Sequence, residues 1–294
     1  MQVIKGGINL KKNIVATFSI VGVDPETGEH GIAVQSKFIA VGSVVPWAKA
    51  GVGAVATQAF ANPSYGPQGL ELLEKGYTPE EVIDLLTKDD PQREERQVGI
   101  VDAKGNSATY TGVHCYDWAG GTRGENFAAQ GNILVNEATV SHMAKTFERS
   151  QGTLAERLLA CLQAAQEAGG DSRGKQSAAL YVVKDKGGYG GFNDRLVDLR
   201  VDDHPEPIQE IIRLYQLQQL YFGEIKQENV LLIEGTTKQK VISGLVNKGY
   251  LRSMEVSEEE LQKGLTEYLH TENFEERELE PGKIDKEVLD FLNK

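Results

Sequence analysis

"NIVATFSIVGVDPETGEHGIAVQSK", residues 13–37, decides how the rest of the chain is read. Ile14–Val23 and Gly31–Gln35 are apolar runs of strand length. Between them Pro25 and Gly28 in "DPETGEHG" suit a tight turn, so the stretch predicts a buried hairpin. Two hydroxyls, Thr17 and Ser19, interrupt the first strand two places apart, and so share one of its faces. The ordinary reading is a half-buried strand with polar positions. The chemical reading makes Thr17 a nucleophile. A threonine hydroxyl needs a base, and a free α-amine on the same residue, with a pKa of about 8, supplies one. That reading requires a cut between Ala16 and Thr17, with residues 1–16 as a leader or propeptide. Ser19 is the reserve nucleophile but, inside a strand, lacks the amine.

Working outward, "GVGAVATQ" (Gly51–Gln58) predicts a third strand. Thr78, Pro79 and Glu81 predict a capped helix through "VIDLL", and "RQVGIVDAKGNSATYTG" a hairpin turning at Lys104–Asn106. Helices are expected over Glu137–Arg149 and after Thr153, where Leu154, Leu158, Cys161, Leu162 and Ala165 share a face. "QSAALYVVK" and "RLVDLRVDD" are further strands, and Pro207–Phe222 a long helix rich in Gln and Leu that would pack on the domain or on a second copy. Hairpin strands with helices grouped between them predict an α+β fold rather than βαβ repeats. Residues 223–294 form a small helical second domain with sixteen acidic and ten basic side chains, half of the chain's net charge of −12.

That acidic balance argues against nucleic acid and anionic membranes as partners. Cys115 and Cys161 have no CxxC spacing, and the five histidines show no ligand spacing, so no disulfide scaffold, metal or other cofactor is expected. Lys11 and Lys12 before "IVATFSIVGV" imitate a signal peptide, but "DPETG" stands where a small-residue cleavage site belongs. The cytoplasm is the expected location.

Several residues carry candidate chemistry. Ser36 and Lys37 close the second strand in "QSKF"; a cation at Lys37 near Thr17 would depress the amine pKa and steady negative charge. "TQAFANPSYGP" reads as a pocket-lining loop with Gln58, Asn62 and Tyr65, or as a structural turn. Asn132 in "QGNIL" and Asp171, Arg173, Gln176 and Ser177 in "GGDSRGKQSAA" are candidates for an oxyanion site and a carboxylate clamp; Asp171 and Arg173 equally suit an ion pair within the loop. His114 and Cys115 offer a minor thiol-nucleophile alternative, although neighbours on a strand face opposite ways. "GGYGGF" lacks the register of a nucleotide loop.

Taken together, "ATFSIVGVDPETGEHGIAVQSKF", "AVGSVVPWAKAGVGAVATQAFANPSYGPQGL", "QGNIL", "GGDSRGKQSAAL" and "DLRVDDHPEP" resemble a bacterial and archaeal family of unknown function, classed among the N-terminal-nucleophile (Ntn) hydrolase-like proteins. The resemblance covers residues 17–222. The tail, with "KGYL", "ENFEER" and "GKIDKEVLDFL", is similar to a peptidoglycan-binding domain that often follows that family. The resemblance implies a four-layer αββα sandwich with Thr17 as nucleophile; with it, the expected chemistry is hydrolysis of a small amide or peptide-like substrate, with Lys37 beside Thr17 and donors near Asn132 or Gln58 at the oxyanion. Lys37 departs from the family's arginine, and residues 1–16 are extra. A peptidoglycan fragment is a possible partner of the tail, self-association is expected, and the competing class is an inactive Ntn-like shell that binds or scaffolds.

Overall fold

The computed structural model of the chain describes residues 17–294; the expected leader, residues 1–16, lies outside the described residues. The described chain divides into two compact units between Ile212 and Arg213.

In the first unit, β1 (Thr17–Asp24) and β2 (Glu29–Ser36) form the expected hairpin, Thr17 pairing with Ser36 and Asp24 with Glu29. Asp24 holds the turn by accepting from the Glu26 and Thr27 amides. The hairpin lies within a six-stranded antiparallel sheet. Its other strands are β7 (Gly120–Gly124), β8 (Phe127–Asn132), β9 (Ser177–Val183) and β10 (Arg195–Val201), in the order β10-β9-β2-β1-β8-β7. A second antiparallel sheet runs β3 (Pro46–Lys49), β4 (Gly53–Ala59), β5 (Arg96–Asp102), β6 (Ser107–Thr111).

Strand alternation sorts the side chains. On β1, Phe18, Ile20 and Gly22 face α3 (Ala138–Arg149) and α4 (Leu154–Glu167), the pair of helices packed on the larger sheet. Gly22 is required there: a Cβ would stand 2.8 Å from the Phe147 ring. Val21 and Val23 face the smaller sheet and pack with Ile32, Val34, Ala54, Ala56 and Val101. The smaller sheet turns Val55, Val98 and Ile100 to α1 (Tyr65–Glu74) and α2 (Pro79–Lys88), against Leu70, Leu73, Val82 and Leu86. Mixed α/β structure with antiparallel sheets, expected from the sequence, is what the chain forms.

Several elements differ from the sequence reading, among them the strands Gly120–Gly124, Val230–Leu232 and Lys283–Asp285, which it did not contain. "PWAK" adds β3 as a short edge strand, and the loop expected over Thr57–Pro67 gives way at Tyr65 to α1, which runs to Glu74. The glycines and proline in "YGPQG" hide this helix. Gly66 is small because the Trp47 ring lies against it, so packing overrides propensity.

The second unit takes up the C-terminal part of α5 (Pro207–Phe222) and then α6 (Gly235–Lys248), α7 (Glu258–Thr271) and α8 (Lys286–Leu292). A two-stranded sheet, β11 (Val230–Leu232) with β12 (Lys283–Asp285), joins them. Its core gathers Val241, Leu245, Leu265, Tyr268, Phe274 and Val288. Beneath it the Arg277–Asp285 ion pair is almost fully buried. No described helix is long and apolar enough to cross a membrane.

Candidate active site

The hydroxyls that interrupt β1 face the second sheet at one end of the inter-sheet space. Ser177, Ser36, Thr17 and Asn132 are successive cross-strand partners, forming a polar row over four strands. Opposite them, Gln58, Gln97 and Thr111 form a second row on β4, β5 and β6. Thr17, Ser19, Ser36, Gln58, Gln97, Gln130 and Asn132 are all completely buried.

Carboxamides stitch the two rows together. Gln58 Nε2 donates to Gln97 Oε1 (2.8 Å) and to Thr17 O (3.3 Å), while its Oε1 accepts from Ser19 Oγ (2.6 Å). Gln97 Nε2 donates to Gly131 O (2.8 Å), Thr111 Oγ1 (2.9 Å) and Gly120 O (3.2 Å). Asn132 Nδ2 donates to Gln97 Oε1 at 2.8 Å. Gln130 Nε2 reaches Ser19 Oγ at 2.7 Å. Gly99 makes room for it, since a Cβ there would stand 1.9 Å from Gln130 Oε1. Thr17 Oγ1 donates to Ser36 Oγ at 3.1 Å. These side chains are hydroxyls and carboxamides, none of which takes up or releases a proton near neutral pH.

Beside Asn132 opens a cavity of about 20 Å³, room for roughly one water-sized group, lined by Phe60, Glu95, His114, Cys115 and Tyr116. Burial pushes the Cys115 thiol up to about 11, and its Sγ donates to Arg96 O at 3.4 Å. A neutral thiol is a poor nucleophile. Among the described residues no group of three or more His, Cys, Asp or Glu is placed to hold a metal.

The structure brings Thr17, Ser36, Gln58 and Asn132 together and places other candidates elsewhere. Lys37 is exposed and donates through Nζ to Lys175 O at 3.2 Å; it follows the end of β2 and does not turn back onto Thr17. Arg173 forks onto Asp171, and Asp171 also accepts from the Lys37 amide at 3.1 Å. This is the ion pair within the loop, a brace for the end of β2 rather than an open clamp. Gln176 bonds Asp203 Oδ1 at 3.0 Å. Ser177 donates to Phe38 O and accepts from the Val41 amide, pinning the segment after β2. Asn62 Oδ1 accepts from the amide and hydroxyl of Ser64. The Tyr65 hydroxyl donates to Asp90 at 2.7 Å.

Gln97 and Gln130 escape a reading of the sequence as site residues. Their signal is a lone carboxamide inside each apolar run, "RQVGIV" and "FAAQG". Which face it occupies follows only from the pairing of strands.

Comparison with known proteins agrees with the extent of this unit. Residues 17–211 match the family of unknown function DUF1028, so the match begins at Thr17. Residues 221–292 match a family described as "Putative peptidoglycan binding domain". A crystal structure of a Silicibacter pomeroyi protein assigned to DUF1028 is similar at 33% identity and a TM-score of 0.65. The alignment covers 71% of this chain and 88% of that one. No curated protein matches the chain. With two thirds of its length in the family match, the chain belongs to the DUF1028 family and carries a C-terminal peptidoglycan-binding-type domain.

Proposed function

We propose that the first unit is an Ntn-type amide hydrolase, a four-layer αββα sandwich whose nucleophile is Thr17, freed by a cut after Ala16. One observation carries this reading. Thr17 heads the central hairpin in a buried row whose side chains are hydroxyls and carboxamides, and the family match begins at the same residue. Among the described residues, the groups bonded to its hydroxyl and carbonyl cannot serve as a base at neutral pH, which favours a Thr17 that brings its own. Its α-amine takes the hydroxyl proton, Oγ1 attacks the substrate carbonyl, and the amine returns the proton to the departing nitrogen. Water then releases the acyl group from Oγ1. Asn132 Nδ2 spends one hydrogen on Gln97, which leaves its second for the oxyanion. Gln58 is committed to Gln97 and Thr17 O and acts as a positioning residue.

The test is turnover of small amide substrates by the purified protein beside its Thr17→Ala and Thr17→Ser variants. Thr17→Ala should abolish turnover and Thr17→Ser retain part of it. Unchanged turnover in Thr17→Ala would end the reading.

A second reading rests on the tail's family match: an inactive shell whose second unit binds a peptidoglycan fragment. Retention of the full chain on purified peptidoglycan, with no Thr17-dependent turnover of any amide, would favour it.

A further inference from the structure

Strand β7 ends the six-stranded sheet, and no described strand pairs with its outward edge. The two-residue turn at Glu125 and Asn126 makes Gly124 and Phe127 the closing hydrogen-bonded pair of the β7–β8 hairpin. Alternation then commits the backbone of Gly120 and Thr122 to β8 and turns the amides and carbonyls of Gly121 and Arg123, both exposed, outward. Sheet edges are ordinarily guarded by charges, proline or a bulge. The opposite edge, β10, shifts register between Arg195 and Val197 and carries Arg195, Asp198 and Arg200. Edge strand β3 carries Pro46 and Lys49. Strand β7 has three glycines among its five residues and an unbroken register with β8. Its one charge, Arg123, is held by Glu80 and Ser107 O.

The surface beside this edge is self-complementary. Helix α3 rests on β8 and β7, and a groove of about 320 Å³ between α3 and β7 is walled by Thr122, Val140, Ser141 and Ala144. Thr122 is the middle residue of β7, and Ser141 lies midway between the exposed Glu137 and Lys145. Eight residues, about 12 Å of helix, keep those two charges apart within one copy. Because Thr122 and Ser141 share the groove, one two-fold axis normal to the sheet can pass beside both. It pairs Gly121 with the second copy's Arg123 and sets Glu137 against the second copy's Lys145. With strands about 4.8 Å apart, a helix resting between β8 and β7 lies about 5 Å from that axis, so the two copies of α3 stand roughly 10 Å apart, a helix-packing distance. Ser141 and Ala144 are small enough for that approach. Glu148, the remaining charge on the groove, then points to the first turn of the second copy's α3, whose free amides favour a carboxylate. An extended peptide would use the edge and leave the matched charges idle, whereas a second copy uses both.

We propose that β7 and α3 form a two-fold interface between copies of this chain, joining their large sheets edge to edge. The interface stands apart from the nucleophile reading.

Sedimentation of the full chain across micromolar concentrations tests it and should find a dimer. Glu137→Lys and Lys145→Glu should each weaken that dimer roughly tenfold, since each turns two attractions into two repulsions. The double exchange should restore it, which a merely structural role of either residue would not do. Both positions are exposed, and unchanged circular dichroism would confirm that the variants fold. Hydrogen exchange should find the Gly121 and Arg123 amides slow in the dimer and fast in the single variants. A monomer throughout, a dimer indifferent to the reversals, a double exchange no better than the single ones, or a dimer whose β7 amides exchange fast would overturn the proposal. So would a monomeric chain whose β7 amides slow only when an extended peptide is added, which would give the edge to a peptide partner instead.

Discussion

Gln97 shows how one side chain can hold two sheets. It accepts from Gln58 and Asn132 and donates to two backbone carbonyls and a threonine hydroxyl. Gln97→Leu would fill a similar volume and orphan these partners. At about 1–3 kcal/mol for each buried group left unpaired, a loss of several kcal/mol is expected, read as a lower urea midpoint. Gln97→Glu should also destabilise, because it buries a charge among groups that do not balance it. A change within about 0.5 kcal/mol for Gln97→Leu would show that the network adds little. At this scale the sequence was half legible. Thr17 and Ser19 stood out as hydroxyls on an apolar strand, Gln58 as a loop residue and Asn132 as a carboxamide in "QGNIL", and the four do meet. Lys37, Tyr65 and Arg173 stood out for their chemistry, yet each is engaged elsewhere. Residue type states what a side chain can do, whereas strand pairing decides what lies opposite it.

Among the elements, the segment between α2 and β5 is tied by one buried charge cluster. Arg96 Nε donates to Asp90 Oδ2 at 2.8 Å, Tyr65 donates to the same oxygen, and both members of the ion pair are under a tenth exposed. Burial pulls the Asp90 carboxyl up, but the bonds from Arg96, Tyr65 and the Gln92 amide outweigh it and hold it at about 2. Burial, then the bond to Asp90, pushes Tyr65 well above its usual range. A depressed carboxyl stabilises the fold fully above its unfolded value of 3.8 and loses that contribution as pH falls towards 2. The difference corresponds to about 2 kcal/mol. Asp90→Asn should therefore lower stability at pH 7 and flatten its fall between pH 4 and pH 2, measured by urea denaturation across that range. Parallel pH profiles for the two proteins would refute the assignment. Helix starts were readable because the capping boxes at Thr78, Thr153 and Ser257 are local, and all three form. Thr153→Ala should cost about 1 kcal/mol by thermal melting. Helix α1 and strand β3 were not readable, since Gly66 and Pro46 belong to them through tertiary contacts that local propensity does not contain.

Over the whole molecule, two units with separate cores share one chain. The second depends on the Arg277–Asp285 pair, in which Arg277 also donates to Gln219 O. Asp285→Ala leaves the buried Arg277 with only the partly exposed Glu287 carboxylate at 3.4 Å, and a loss of up to about 3–5 kcal/mol is expected for that unit. Calorimetry should show its transition moving down while that of the first unit stays in place. The order of strands and helices gave the mixed fold, because hairpins and capped helices declare themselves locally; the facing of two polar rows across the core did not, because it joins residues far apart in sequence. The central claim comes down to one peptide bond. Intact-mass measurement of the purified, active full chain tests it most directly: the account predicts a polypeptide that begins at Thr17, and an active protein whose mass still includes residues 1–16 would contradict it.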